Sequence, residues 1–115
     1  MEIKFNIGDK VYHIEKDYIV EIIRNKIFKK EIIDIKKLFA EIATYFVIEI
    51  TIKKNSVSYL VNTTNNDDYF TNLNYEENEL FADVETAKNI IKEIFIKELK
   101  EYQEIINKTL ENHNE

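Results

Sequence analysis

Apolar residues occur in short runs along the first two thirds of the chain and recur every three or four positions along the last third. The first pattern predicts strands and the second an amphipathic helix. Residues 2–7 and 10–15 flank Gly8-Asp9, a turn in which glycine takes positive φ without steric cost. Residues 18–24 and 27–35 are rich in Ile, Val, Tyr and Phe and read as two further strands. Their paired apolar positions, Ile22-Ile23 and Ile32-Ile33, place bulk on both faces and predict strands bent around a small barrel or covered twice. Residues 36–43 fit a helical turn or an extended strand equally well.

The clearest local signal is a hairpin. In 45–52 the even positions Phe46, Ile48, Ile50 and Ile52 are all apolar, and in 57–61 so are the odd positions Val57, Tyr59 and Val61, with Ser58 between the first two. A loop of Lys53-Lys54-Asn55-Ser56 would set Ile52 opposite Val57, Ile50 opposite Tyr59 and Ile48 opposite Val61 on one face. Residues 62–76 form a long polar connection with aromatics interspersed, and Glu79-Leu80-Phe81 reads as a last short strand. Asp83 is placed to cap a helix. Its apolar stripe runs Val84, Ala87, Ile91, Phe95, Leu99, Tyr102, Ile106 and Leu110, widened by Ile90, Ile94 and Ile105. Glu93–Lys97 and Glu104–Lys108 are favourable i,i+4 pairs on the opposite face.

The expected class is α+β: a small bent antiparallel sheet or barrel followed by one long C-terminal helix. Residues 1–82 form the β-barrel-like domain, 83–111 the helix that packs on it and mediates association, and 112–115 a frayed tail. A helix from Val84 to Leu110 is about 40 Å long, whereas a body of some 80 residues has a radius of gyration near about 12 Å. The helix therefore overhangs, and Phe95, Leu99, Tyr102, Ile106 and Leu110 need cover. A homodimer through this segment supplies it most simply, and a heterologous partner is the alternative.

Composition sharpens what the chain can do. Its 115 residues contain one glycine, no proline and no cysteine. That removes glycine-rich phosphate loops, disulfides, thiolate metal sites and cysteine nucleophiles. His13 and His113 lie far apart, Asn65-Asn66-Asp67-Asp68 lacks the spacing of a calcium loop, and Asp34-Ile35-Lys36 has no second acid beside it. The expectation is a protein that is not an enzyme and needs neither cofactor nor metal. No apolar run approaches the roughly 20 residues of a membrane span, and Met1-Glu2-Ile3-Lys4 reads as no signal peptide, so a cytoplasmic location is expected.

Charge divides the chain. Residues 1–60 carry eleven Lys or Arg against nine Asp or Glu, whereas residues 61–115 carry five against thirteen. From Asp67 to Glu85 there are seven acids and no base, with Tyr69, Phe70, Leu73 and Tyr75 among them. Such a segment favours basic partners and repels phosphate. The candidate partner-binding set is Asp67, Asp68, Tyr69, Phe70, Tyr75, Glu76, Glu77 and Glu79. The competing set is basic and aromatic: Arg24, Lys26, Lys29, Lys30, Lys36 and Lys37, with Phe28 and Phe39 interleaved, as in small barrels that bind RNA or DNA.

Two motifs carry a resemblance. Phe5-Asn6-Ile7-Gly8-Asp9-Lys10-Val11-Tyr12 resembles the F-x-[IV]-G-D-x-V-[YW] start of small uncharacterised phage and prophage proteins of Gram-positive and related bacteria. Glu77-Asn78-Glu79-Leu80-Phe81-Ala82-Asp83-Val84-Glu85-Thr86-Ala87 is similar to the segment that opens their helix. The resemblance implies a KOW-like barrel with Gly8-Asp9 at its first turn and Leu80-Phe81 in its last strand. Small acidic proteins of mobile elements also resemble inhibitors of bacterial defence systems, anti-CRISPR-like proteins among them. The leading expectation is therefore a protein-binding module that inhibits a basic host protein, such as an RNA-guided defence nuclease, through its acidic surface. The alternatives are a KOW-like nucleic-acid-binding accessory protein and a structural homodimeric phage protein.

Overall fold

The computed structural model describes residues 2–64 and 72–113. Its elements are β1 (Lys10–His13), α1 (Lys16–Phe28), α2 (Ile35–Phe39), β2 (Ala43–Lys53), β3 (Ser56–Asn62), β4 (Leu73–Glu76), a 3-10 turn (Glu77–Glu79) and α3 (Val84–His113). The four strands form one antiparallel sheet in the order β1-β2-β3-β4. The architecture is α+β, as the sequence pattern indicates, and among the described residues the sheet is open rather than closed into a barrel.

Residues 18–24 and 27–35 are not strands. Ile19, Ile23 and Ile27 recur every four positions, and the Ile22-Ile23 pair that spoils a strand's alternation is what a helix needs to widen its apolar face. Ile19 and Ile23 are buried in α1, with Asp17 in its first turn and Lys26 in its last, both favourable to the helix dipole. The helix closes in a Schellman pattern: Lys30 donates its N–H to the Ile27 carbonyl and Glu31 to that of Lys26. Lys30 sits at φ 58°, a left-handed position that usually takes glycine. In this chain the one glycine serves elsewhere. Gly8, at φ 93°, turns the backbone ahead of β1, and no atom lies near where its side chain would be, so the need is conformational. No strand forms at 2–7.

The hairpin is present with a tighter turn than expected. Lys53 pairs with Ser56, leaving Lys54-Asn55 as a two-residue loop. Ile52 faces Val57 and Ile50 faces Tyr59, but Val61 faces Val47, because a bulge leaves Ile48 unpaired in the register. The bulge switches the parity of β2, so Tyr45 and Val47 before it share the core face with Ile50 after it. In the ambiguous stretch 36–43, α2 occupies the start and β2 begins at Ala43. Residues 73–76 form β4 rather than loop. Glu79-Leu80-Phe81 is no strand: Leu80 is buried and Phe81 makes an isolated bridge with Tyr12. Asp83 caps α3 as expected, accepting from the Thr86 N–H at 2.7 Å. The helix continues through His113, beyond the point where fraying was expected.

Two cores result. Phe5, Val11, Val47, Val57, Tyr59, Val61 and Leu80 fill the sheet side. Ile14, Ile19, Ile23, Leu38, Ala87 and Ile91 join α1, α2 and the first half of α3. β1 serves both, because Val11 and Tyr12 point to opposite faces. The second core ends before α3 does. At 30 residues and 1.5 Å per residue the helix is about 45 Å long, and the longest dimension of the molecule is 61 Å against 30 and 24 Å for the others.

Ile91→Ala removes a side chain at the centre of the second core and should lower stability by about 2–5 kcal/mol. Ile52→Ala, at an exposed hairpin end, should change it by no more than about 0.5 kcal/mol. Urea unfolding of the two variants checks the difference.

Candidate functional site

The distal half of α3 and the end of α1 carry several exposed large apolar side chains. Ile91 and Ala87 seat the first half of the helix, and Phe95 and Ile94 are half-buried against the same core. Past that point Ile96, Leu99, Tyr102, Ile105 and Leu110 are exposed, and Ile106 is half-buried. At the end of α1, Phe28 is 84% exposed. Phe28 and Ile27 line one wall of a groove of about 290 Å³ whose other wall is Glu98, Glu101, Tyr102 and Ile105, with Arg24 at its side. Ile32, just beyond α1, is 93% exposed. Scattered apolar residues on a surface need no explanation, but a contiguous strip along one helix does.

Of the two acids in the groove wall, the buried one is paired. Glu98 is 7% exposed, and Arg24 meets it through Nε at 2.9 Å and Nη2 at 3.3 Å. This fork geometry suits a carboxylate better than any lysine would. The hydrogen bond to Glu98, reinforced by its charge, moves the guanidinium further above its ordinary range. Arg24 was read from the sequence as part of a nucleic-acid face. The structure makes it the partner of a buried carboxylate, with its side chain still largely exposed. Lys26 is likewise paired, with Glu31 at 2.7 Å. Lys29, Lys30, Lys36 and Lys37 are exposed. A signal the sequence did not expose is that Lys88 and Lys92 of α3 stand over the Phe39 ring of α2 at 5.5 and 5.9 Å.

Of the acidic-aromatic set the structure describes Tyr75, Glu76, Glu77 and Glu79. Asp67, Asp68, Tyr69 and Phe70 lie outside the described residues. Glu77 accepts from the buried Tyr59 hydroxyl and from the Lys4 N–H. The Glu79 carboxylate accepts from the Glu76 N–H at 2.8 Å, and that of Glu76 completes the reciprocal cap of the 3-10 turn. Tyr75 stacks on His13 with ring centres 4.0 Å apart. These three acids and Tyr75 therefore make internal contacts that their residue types alone do not reveal, while Glu76 and Glu79 stay exposed.

His13 is buried where β1 meets the corner after β4. Its Nδ1 lies 2.9 Å from the Glu79 carbonyl and its Nε2 2.8 Å from Glu15 Oε1. Both nitrogens are engaged, so neither is open to a substrate. Burial, and then its hydrogen bond with Tyr45, hold the Tyr75 phenol well above its ordinary pKa. Among the described residues no group of three or more His, Cys, Asp or Glu is arranged to hold a metal ion. No described helix is long and apolar enough to cross a membrane.

No protein-family model, curated protein or solved structure matches the chain.

Arg24→Met should destabilise the protein by leaving the buried Glu98 charge unpaired, and Arg24→Met combined with Glu98→Met should recover most of the loss. Urea midpoints of the double-mutant cycle test this. A second expectation concerns alkaline pH. Because folding raises the Tyr75 pKa, its contribution is complete below the ordinary value of about 10 and is lost as pH rises through the folded value. Tyr75→Phe should flatten the fall in urea midpoint over that alkaline range.

Proposed function

We propose that this chain is a non-enzymatic, cytoplasmic protein-binding module that docks through the distal half of α3 and the adjoining end of α1. The observation that carries the reading is the uncovered strip Leu99, Tyr102, Ile105 and Leu110, continuous with Phe28 across the groove. The centre of a protein interface is apolar and aromatic, depleted in charge, and rimmed by polar groups. The strip matches its apolar and aromatic part, with the buried Glu98 paired to Arg24 and the exposed Glu101 at the rim. Tyr102 and Phe28 are its natural anchors, being large side chains with few torsions to order.

The setting we propose is the one suggested by the resemblance, a mobile-element protein acting on a component of its host. The specific reading of a defence-nuclease inhibitor rests on the charge of residues 67–85. It is supported by the exposed acids Asp83 and Glu85 as well as by segment composition. Commitment of Glu76, Glu77 and Glu79 to internal hydrogen bonds moves the weight of the docking proposal to the helix. The nucleic-acid reading has its own supporting observation, since Lys88 and Lys92 converge on the helix that carries Lys36 and Lys37.

The three readings part in a capture experiment with the tagged full chain in cell lysate, with and without nuclease treatment. Ile105→Glu should release the retained protein, and neutralising Lys29, Lys30, Lys36 and Lys37 should leave it bound. Retention of nucleic acid alone, sensitive to the lysines, would overturn the docking reading. Release on converting Asp67, Asp68, Glu76 and Glu77 to amides, with Ile105→Glu silent, would return function to the acidic segment.

A further inference from the structure

We infer that the free edge of β2 pairs with the same edge of a second copy of the chain, antiparallel about Thr51, so that two sheets join into one. The inference concerns a different surface from the strip on α3 and does not rest on it.

The edge exists because β2 outlasts its neighbour. β2 runs from Ala43 to Lys53, whereas β1 pairs only with Ala43 to Phe46. The last contact on that side is Val47, whose carbonyl accepts from the Gly8 N–H and whose own N–H donates to the Asp9 carbonyl. Beyond the bulge, no described strand lies beside 49–53 on this side. In a two-residue hairpin the residues that flank the turn bond to each other, here Lys53 and Ser56. Thr51 and Glu49 then face β3 in the same way, and Ile50 and Ile52 turn their N–H and carbonyl groups outward. Such a row of open groups is a template for another strand. The far edge of the sheet offers less. β4 has four residues, and its Glu76 N–H is taken by the Glu79 carboxylate at 2.8 Å.

The side chains of 49–53 select a copy of themselves as the occupant. Glu49, Thr51 and Lys53 lie exposed on one face of the strand, and Ile50 and Ile52 lie on the other. Antiparallel pairing about Thr51 sets Glu49 directly opposite Lys53 of the partner subunit, and by symmetry Lys53 opposite Glu49 of the partner subunit. These groups share one face, so the register itself brings them together. Among the described residues neither has an ion pair within its own chain. A lone edge lysine would repel its own copy, which is how edges are commonly blunted. Here an acid at the symmetric position cancels it, whereas a strand of a single charge sign meets either Glu49 or Lys53 unfavourably.

The other face and the backbone agree with this register. Ile50 falls opposite Ile52 of the partner subunit, and residues with outward N–H and carbonyl groups then meet as hydrogen-bonded pairs. Ile52 is 58% exposed and gains an apolar neighbour, while Ile50 already packs against the sheet core. Thr51 meets Thr51 of the partner subunit, a favourable cross-strand pair. The acid-rich β4 lies at the far edge of each sheet, away from the junction.

The paired segment is short, so the dimer is weak and exchanges with monomer. Sedimentation of the full chain at high micromolar concentration should show it. Glu49→Lys and Lys53→Glu should each weaken it roughly 5- to 10-fold, and the two together should return it to within about twofold of wild type. A cysteine reports the register, since the chain has none of its own. Opposed residues in a non-hydrogen-bonded pair have Cα atoms about 4.5 Å apart, inside the roughly 4.4–6.8 Å that a disulfide spans. Thr51→Cys should therefore give a disulfide-linked dimer under mild oxidation, and Ser58→Cys, one strand further from the junction, should not. A monomeric wild type overturns the proposal. So does a dimer that the charge exchange fails to rescue, or one in which Thr51→Cys crosslinks no faster than Ser58→Cys. Ile105→Glu should leave this dimer intact, and its loss in that variant would move association to α3 and overturn the edge pairing.

Discussion

The seating of α3 on α1 is the interaction on which the rest of this molecule depends. Ala87 and Ile91 enter the core made by Ile14, Ile19, Ile23 and Leu38, and this fixes the direction in which the remaining helix leaves the body. Close packing makes such a contact a hinge with one setting, because a displaced helix would open voids along its whole buried face. The distal half is then carried outward with its apolar side next to the end of α1. Fifteen residues of isolated helix are only marginally stable in water. Their continuity with a seated first half supplies the nucleus, and the apolar strip supplies the reason for a partner to complete the cover.

The sheet supports this seating from the other side. β1 lies between the two cores, and its neighbour in space is not only β2 but the segment that leads into α3. Tyr12 and Phe81 exchange backbone hydrogen bonds at 2.9 and 2.8 Å. Two residues later Asp83 caps the helix, so the point where α3 starts is anchored to an edge of the sheet. His13 adds a second tie, through the Glu79 carbonyl and the stack on Tyr75. Tyr59 adds a third, since its hydroxyl donates to Glu77 and accepts from the Lys4 and Phe5 N–H groups. Tyr75, Glu77 and Glu79 thus also help to set the start of the helix in place.

What could be read in advance follows from how local each signal is. The hairpin between β2 and β3 and the cap and stripe of α3 are written in short-range periodicity, and both appear nearly as expected. The bulge at Ile48 is hidden because Phe46, Val47 and Ile48 are all apolar, so either parity satisfies the pattern. α1 was mistaken for strand because isoleucine favours strands intrinsically, whereas the four-residue spacing of Ile19, Ile23 and Ile27 belongs to a helix. That mistake also disguised Phe28, which as a helix-end residue borders the groove and as a strand residue looked like part of a basic-aromatic surface. The role of Glu98 was beyond local reading altogether, because Arg24 lies 74 positions away. The exposure of Leu99, Tyr102 and Leu110 was legible, because an amphipathic stripe longer than its body must emerge uncovered.

The central claim is that the distal half of α3 carries an apolar face that its own fold leaves uncovered. Amide hydrogen exchange resolved along α3 of the isolated chain at low concentration tests it most directly. The account predicts high protection around Ile91 and much lower protection from Leu99 to Leu110. Protection over Leu99–Leu110 that equals that around Ile91 would contradict it.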